Sequence, residues 1–170
     1  MVSPPAAYPF VPRSNAYLLP GHIWGIPLRD GRSACGVVVA VPTAEEAPHG
    51  AINSRTFVAG LLDWVGDEPP TPAAVDESPL LNWGYGHIKL IGANGGSILG
   101  RRSPVHDREG ALLAVSHRMG GTVGLYRAGR MLRLATADEA RDLPVIGTWG
   151  GGFIAAIADR VFVDGKPIVR

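Results

Sequence analysis

Glycine and proline punctuate this chain at short intervals, and that limits its possible folds more than any other feature. The 23 glycines and 15 prolines make up over a fifth of its 170 residues, against usual shares of about 7% and 5%. They are spread between short apolar runs and form no repeat, so they read as the turns of a strand-rich fold. A chain of this length suits one domain. It can bury about 70% of the surface its unfolded form exposes, so it needs no metal or disulfide to fold.

Leu19 to Pro27 reads as a first strand and Ala34 to Val41, rich in β-branched valines, as a second. The Asp30-Gly31 turn between them makes a hairpin, because Gly accepts positive φ and Asp tolerates the left-handed region. Thr56 to Val65 is the next strand, followed by a loop from Gly66 to Pro79 that contains Pro69-Pro70. Pro79 to Trp83 is expected as one helical turn. His87 to Ile91 and Ser97 to Gly100 are expected as a second hairpin across Asn94-Gly95-Gly96. Leu112 to His117, Thr122 to Tyr126 and Met131 to Ala135 follow as a meander. Thr136 and Glu139 form a capping-box pattern that opens a short helix ending before Pro144. Residues 152–163 fit both helical spacing and strand alternation; a helix from Gly152 to about Arg160, then a strand-like Val161 to Val163, is the reading taken. The expected architecture is mainly β, a β-rich α+β fold. Residues 1–16 form a flexible proline-rich lead-in. Residues 17–170 form a single domain of short antiparallel strands, barrel-like or a strongly bent sheet, with one or two short helices towards the C-terminus.

Lys+Arg 16 against Asp+Glu 15 leaves a formal charge of +1, which excludes a general nucleic-acid binder. The cations are 14 arginines and only 2 lysines. With abundant Ala, Gly and Pro, that skew reads as the mark of a GC-rich bacterial genome. No apolar run approaches the roughly 18–20 residues of a membrane helix, and Met1 to Pro12 lacks the pattern of a secretory signal. The expected location is the bacterial cytoplasm.

Chemistry-bearing residues are sparse. The lone cysteine, Cys35, excludes a disulfide framework and a thiolate zinc site. It sits in an apolar strand with no adjacent cation to activate it. The five histidines lack metal-ligand spacing. His106-Asp107 is the one histidine beside an acid, but neighbouring side chains in extended chain point opposite ways. Ser33 and Ser116 lack a nucleophile elbow, and Gly92 to Gly96 lacks the Lys-Ser/Thr of a phosphate loop. These readings leave no catalytic set, no metal and no cofactor.

Charge is distributed in blocks. Thr56 to Ile88 holds five acids and no Lys or Arg, whereas Arg101 to Arg133 holds seven arginines against Asp107 and Glu109, giving −5 and +5. Folding can bring the blocks together as a compensating surface, or leave two faces that steer a charged partner. Trp64 and Trp83 flank the acidic loop; tryptophan serves core packing and interface hot spots alike.

Four stretches, read in order, resemble a known family: Leu19-Pro20-Gly21-His22-Ile23-Trp24-Gly25-Ile26-Pro27-Leu28-Arg29-Asp30-Gly31; Ala34-Cys35-Gly36-Val37-Val38; Phe57-Val58-Ala59-Gly60-Leu61-Leu62-Asp63-Trp64; and His87-Ile88-Lys89-Leu90-Ile91 with Gly95-Gly96-Ser97-Ile98-Leu99-Gly100-Arg101-Arg102. Over residues 19–107 the chain resembles immunity protein 26, a family encoded beside secreted polymorphic toxins in bacteria. The family pattern has an acid after the first glycine, where this chain has His22. The resemblance implies a non-enzymatic binder that neutralises a cognate protein toxin by steric occlusion. A toxin that acts on nucleic acid presents a basic cleft, which an acidic loop could occupy. Asp63, Trp64, Asp67, Glu68, Asp76 and Glu77 are the candidate contacts. The alternative is a small-barrel enzyme or RNA-binding module of the endoribonuclease-toxin type.

Overall fold

A computed structural model describes residues 7–93 and 96–168. The expected hairpin forms: β1 (His22–Pro27) pairs antiparallel with β2 (Ser33–Ala40). Gly31 sits at φ +90° in its turn, and the Asp30 carboxylate accepts the Arg32 N–H at 3.1 Å. Trp24 lies opposite Gly36 and lays its indole across it. A Cβ at Gly36 would come 2.2 Å from the ring, so only glycine fits. β3 (Thr56–Gly66) pairs with β2, and β4 (Leu80–His87) with β3. With β5 (Gly100–Arg101) beside β1 and β9 (Thr148–Trp149) parallel to β4, the strands make a six-stranded sheet in the order β5-β1-β2-β3-β4-β9. The sheet is open, so of the two expected forms the closed barrel does not occur. Register shifts in the β2–β3 and β3–β4 pairings mark bulges, which bend strands and increase their twist.

Alternation along the strands sends apolar side chains to both faces. Trp24, Ile26, Val38, Phe57 and Leu61 face one way, under Leu90, Ile91, Ile154, Ile157 and Ala158. Ile23, Cys35, Val37, Val58, Leu62 and Tyr85 face the other, under Val75, Ala47, Ile52 and Leu112. A second sheet, β6 (Leu113–His117), β7 (Val123–Arg127) and β8 (Arg130–Leu134), is the expected meander. Residues 144–149 tie it to the first: the Val115 N–H donates to Pro144 O and the Tyr85 N–H to Gly147 O, both at 2.9 Å. The Tyr85 hydroxyl donates to Gly129 O at 2.6 Å, pinning the β7–β8 turn to the large sheet.

Four α-helices lie among the described residues: α1 (Pro72–Val75), α2 (Lys89–Ala93), α3 (Ala137–Asp142) and α4 (Phe153–Phe162). The α3 capping box forms as expected, Thr136 Oγ accepting from Glu139 N and Glu139 Oε2 from Thr136 N.

Three local expectations are corrected. Pro79 to Trp83 is no helical turn: from Leu80 the backbone pairs with β3, Asn82 opposite Leu61 and Trp83 opposite Gly60, and tertiary pairing overrides local preference. The second hairpin does not form, because Leu90 and Ile91 are buried from within α2. Ile98 instead exchanges backbone hydrogen bonds with Phe10, at 3.1 and 2.8 Å. Asn94 and Gly95 of its expected turn lie outside the described residues. The final segment is helical as read, but α4 continues through Val161 and Phe162, whose side chains pack on the core, and no strand follows among the described residues.

The Phe10 bridge also means that the later half of the proline-rich stretch is joined to the domain; residues 1–6 lie outside the described part. No helix among the described residues is long and apolar enough to cross a membrane.

Candidate functional site

The acidic stretch begins near the end of β3, where its pairing with β4 stops after Leu62 while its pairing with β2 continues to Gly66. The Asp63 side chain is exposed, and its N–H donates to Pro79 O at 2.8 Å. Trp64 is half-buried, packed partly on the Ile23–Val37 side of the core and partly over Gly66. A Cβ at Gly66 would lie 2.7 Å from the Trp64 ring. Asp67, Glu68 and Pro69 follow, all exposed, and then the loop is pinned. Pro70 is buried beside Gly25, Pro72 packs on Gly100, and Val75 of α1 is fully buried. Thr71 caps α1 by accepting the Ala74 N–H at 3.3 Å. The acids therefore project from a backbone held at both ends.

The structure separates the six candidates into two groups. Among the described residues Asp63, Asp67 and Glu68 make no ion pair. The field of Asp67 reaches Arg32, but Arg32 pairs with Asp30 at 2.7 Å. Asp76 is committed elsewhere. Its carboxylate accepts the Ser103 N–H at 2.8 Å and the Ser103 hydroxyl at 3.4 Å. Those bonds, with the Arg102 charge behind them, hold its carboxyl below the ordinary range. Glu77 is 89% exposed and stands 4.0 Å from Arg108.

The arginine-rich stretch is largely occupied. Arg127 pairs with Asp107 at 2.8 Å, Arg130 with Glu46 at 3.2 Å and Arg133 with Glu139 at 2.6 Å. Arg101 donates from Nε to Pro20 O. Arg102 is buried and donates to the carbonyls of Ser103, Ser78 and Asp76. Arg118 alone of the seven has no hydrogen bond or ion pair of its side chain among the described residues. The two charged blocks meet only at the corner where Asp76 and Glu77 approach Arg102 and Arg108. Arg127, Arg130 and Arg133 find their acids outside the acidic stretch.

The remaining polar residues are structural in character. Asp107 turns away from His106, accepting the Leu112 N–H and pairing with Arg127. No hydrogen bond joins the His106 side chain to another group among the described residues. Burial pushes the Cys35 thiol up to about 12. His22 is fully buried, a site that sequence reading missed. Its Nδ1 accepts the Leu19 N–H at 3.0 Å, which leaves the proton on Nε2, 3.0 Å from the Tyr8 hydroxyl. Burial, and then the charge of Arg101, lower its pKa to about 4. Among the described residues no group of three or more His, Cys, Asp or Glu could hold a metal ion.

Two concavities flank this region. One, of about 310 Å³, lies between residues 76–80 and 102–111. The other, of about 690 Å³, runs past Trp83, Leu113, Val145 and Trp149 beside the outer edge of β4. That edge is partly closed, because the Trp83 N–H donates to the Asn82 side chain at 2.9 Å and its indole N–H to Ala111 O at 2.9 Å. Compared with protein-family models, curated proteins and solved structures, the chain matches none.

Proposed function

We propose that this protein is an immunity protein that neutralises a cognate toxin in the bacterial cytoplasm by steric occlusion, with the acidic end of β3 as its contact surface. The observation that carries the reading is the set of exposed carboxylates at Asp63, Asp67 and Glu68, without ion pairs among the described residues and beside the half-buried Trp64. Unpaired acids on a fixed backbone suit a basic partner, such as the cleft of a nuclease toxin. They speed encounter through long-range attraction, while a pre-ordered loop loses little entropy on docking. Trp64 would supply the apolar anchor that such patches need. Glu77 would extend the surface, and Asp76 would support it by holding residue 103. The resemblance of residues 19–107 to immunity protein 26 points the same way.

The rival reading is a small-barrel endoribonuclease or RNA-binding module. Its support is the pocket that gathers Arg102, His106 and Arg108. Against it stand the engagement of most arginines and the absence of a hydrogen-bonded base–acid pair at His106 among the described residues.

The test is co-expression with the toxin domain whose gene adjoins this one, as the reading requires. Growth should be rescued by the wild-type chain and impaired when Asp67 and Glu68 are both replaced by lysine. If the purified chain itself degrades RNA and a point variant does not, the immunity reading is wrong.

A further inference from the structure

The geometry points to a binding pocket for a small monocarboxylate between Arg102 and Arg108, at the corner where Asp76 and Glu77 end the acidic stretch, and the pocket does not depend on the toxin reading. Arg102 is 8% exposed and has no carboxylate within 4.0 Å among the described residues. Its Nε donates to Ser103 O at 3.0 Å, one Nη1 hydrogen to Ser78 O at 2.8 Å, and one Nη2 hydrogen to Asp76 O. Guanidinium has five N–H groups, so each terminal nitrogen retains one with no protein acceptor among the described residues. Burying an arginine is costly unless an anion or a full set of acceptors compensates it. The three carbonyls orient this one without matching its charge.

The pocket beside it, about 310 Å³, is lined by Arg102, Arg108, His106 and Ser103 as well as Asp76 and Glu77. That volume is at the lower end for a small-molecule site. Asp76 does not fill the vacant acceptor position, because its carboxylate is turned onto Ser103. Glu77 shows what does fit: its carboxylate stands 4.0 Å from Arg108, with both side chains mostly in water. So loose a pair contributes little, and an incoming carboxylate can replace it while also reaching the spare N–H groups of Arg102. A planar carboxylate suits arginine forks. Charge favours one negative charge over two, since Asp76 and Glu77 already stand at the rim and would repel a phosphate dianion.

The test titrates the full chain with acetate and, separately, with inorganic phosphate, following the arginine side-chain N–H resonances by NMR. Acetate should shift the Arg102 signals saturably, with a Kd of about 10 mM, as its few atoms allow. Glu77→Gln removes the internal competitor and should tighten acetate binding by roughly threefold, whereas Arg108→Gln should weaken it roughly tenfold. Both positions are exposed, so unchanged thermal unfolding will confirm that the variants are folded. The inference is overturned if Arg102 shows no saturable shift, if phosphate binds more tightly than acetate, or if Glu77→Gln leaves acetate affinity unchanged.

Discussion

The acid-only stretch around β3 and the arginine-rich stretch through the second sheet carry charges of equal size and opposite sign, yet folding treats them differently. The arginines are spent locally. Arg127, Arg130 and Arg133 each take an acid that lies outside the opposing block, and Arg102 is drawn inside the protein to hold backbone carbonyls. The acids split: Asp76 ties down residue 103, while Asp63, Asp67 and Glu68 stay open to solvent. Equal charge blocks in a sequence therefore do not mean equal surface potential. What differs is whether the neighbouring turns and helix ends supply counter-charges.

If that contrast holds, stability resides in the spent groups and recognition in the open ones. The largest loss should come from Arg102→Met. It strips the donors from three carbonyls near the buried side of the acidic loop and should cost roughly 2–4 kcal/mol, measured by urea unfolding. An unfolding free energy equal to that of the wild type would mean that Arg102 is merely packed.

The next effect belongs to neither block. His22 has a folded pKa of about 4 against its ordinary 6.5, so the unfolded chain binds more protons between those values. The His22 contribution should lower stability as pH drops from about 6.5 to about 4, by something on the order of 2–3 kcal/mol, and change no further below that. His22→Gln should flatten that part of the profile. The exposed Glu139, held down to about 2 by its bonds to Arg133 and Thr136, contributes in a lower window, where its stabilisation is lost as pH falls from about 4.5 towards 2. A profile flat between pH 6.5 and 4 in the wild type would contradict the buried neutral histidine.

Smaller still is the effect of Arg133→Gln. Its ion pair with Glu139 is partly exposed and should contribute less to stability than either preceding group, and its loss should leave untouched the toxin protection that the proposed function requires. Loss of protection at unchanged stability would shift recognition to the arginine face.

How much of this the sequence disclosed depends on the range of the interactions involved. The Asp30-Gly31 turn and the Thr136–Glu139 capping box were legible because every partner lies within a few residues. The strand at Leu80 was not, because its pairing depends on β3, some twenty residues earlier in the chain. Nor was α2, whose Leu90 and Ile91 fit a strand or a helix equally well until the core selects one. At the candidate surface, the run of acids was plain, but nothing local distinguished Asp76 from Asp67. That difference rests on Ser103 and Arg102, which only the fold brings near. His22 gave no signal because its environment is assembled from Tyr8, Leu19 and Arg101.

The most direct measurement of the contrast is the association rate of this chain with the toxin domain that the proposed function requires, followed by stopped flow across a range of salt concentrations. Asp67→Lys with Glu68→Lys should slow association by roughly tenfold or more at low salt, a difference that shrinks as salt rises, while Arg118→Glu leaves the rate within about twofold of wild type. The opposite pattern, with Arg118→Glu slowing capture and the double lysine variant binding at the wild-type rate, would contradict the assignment of recognition to the open acids.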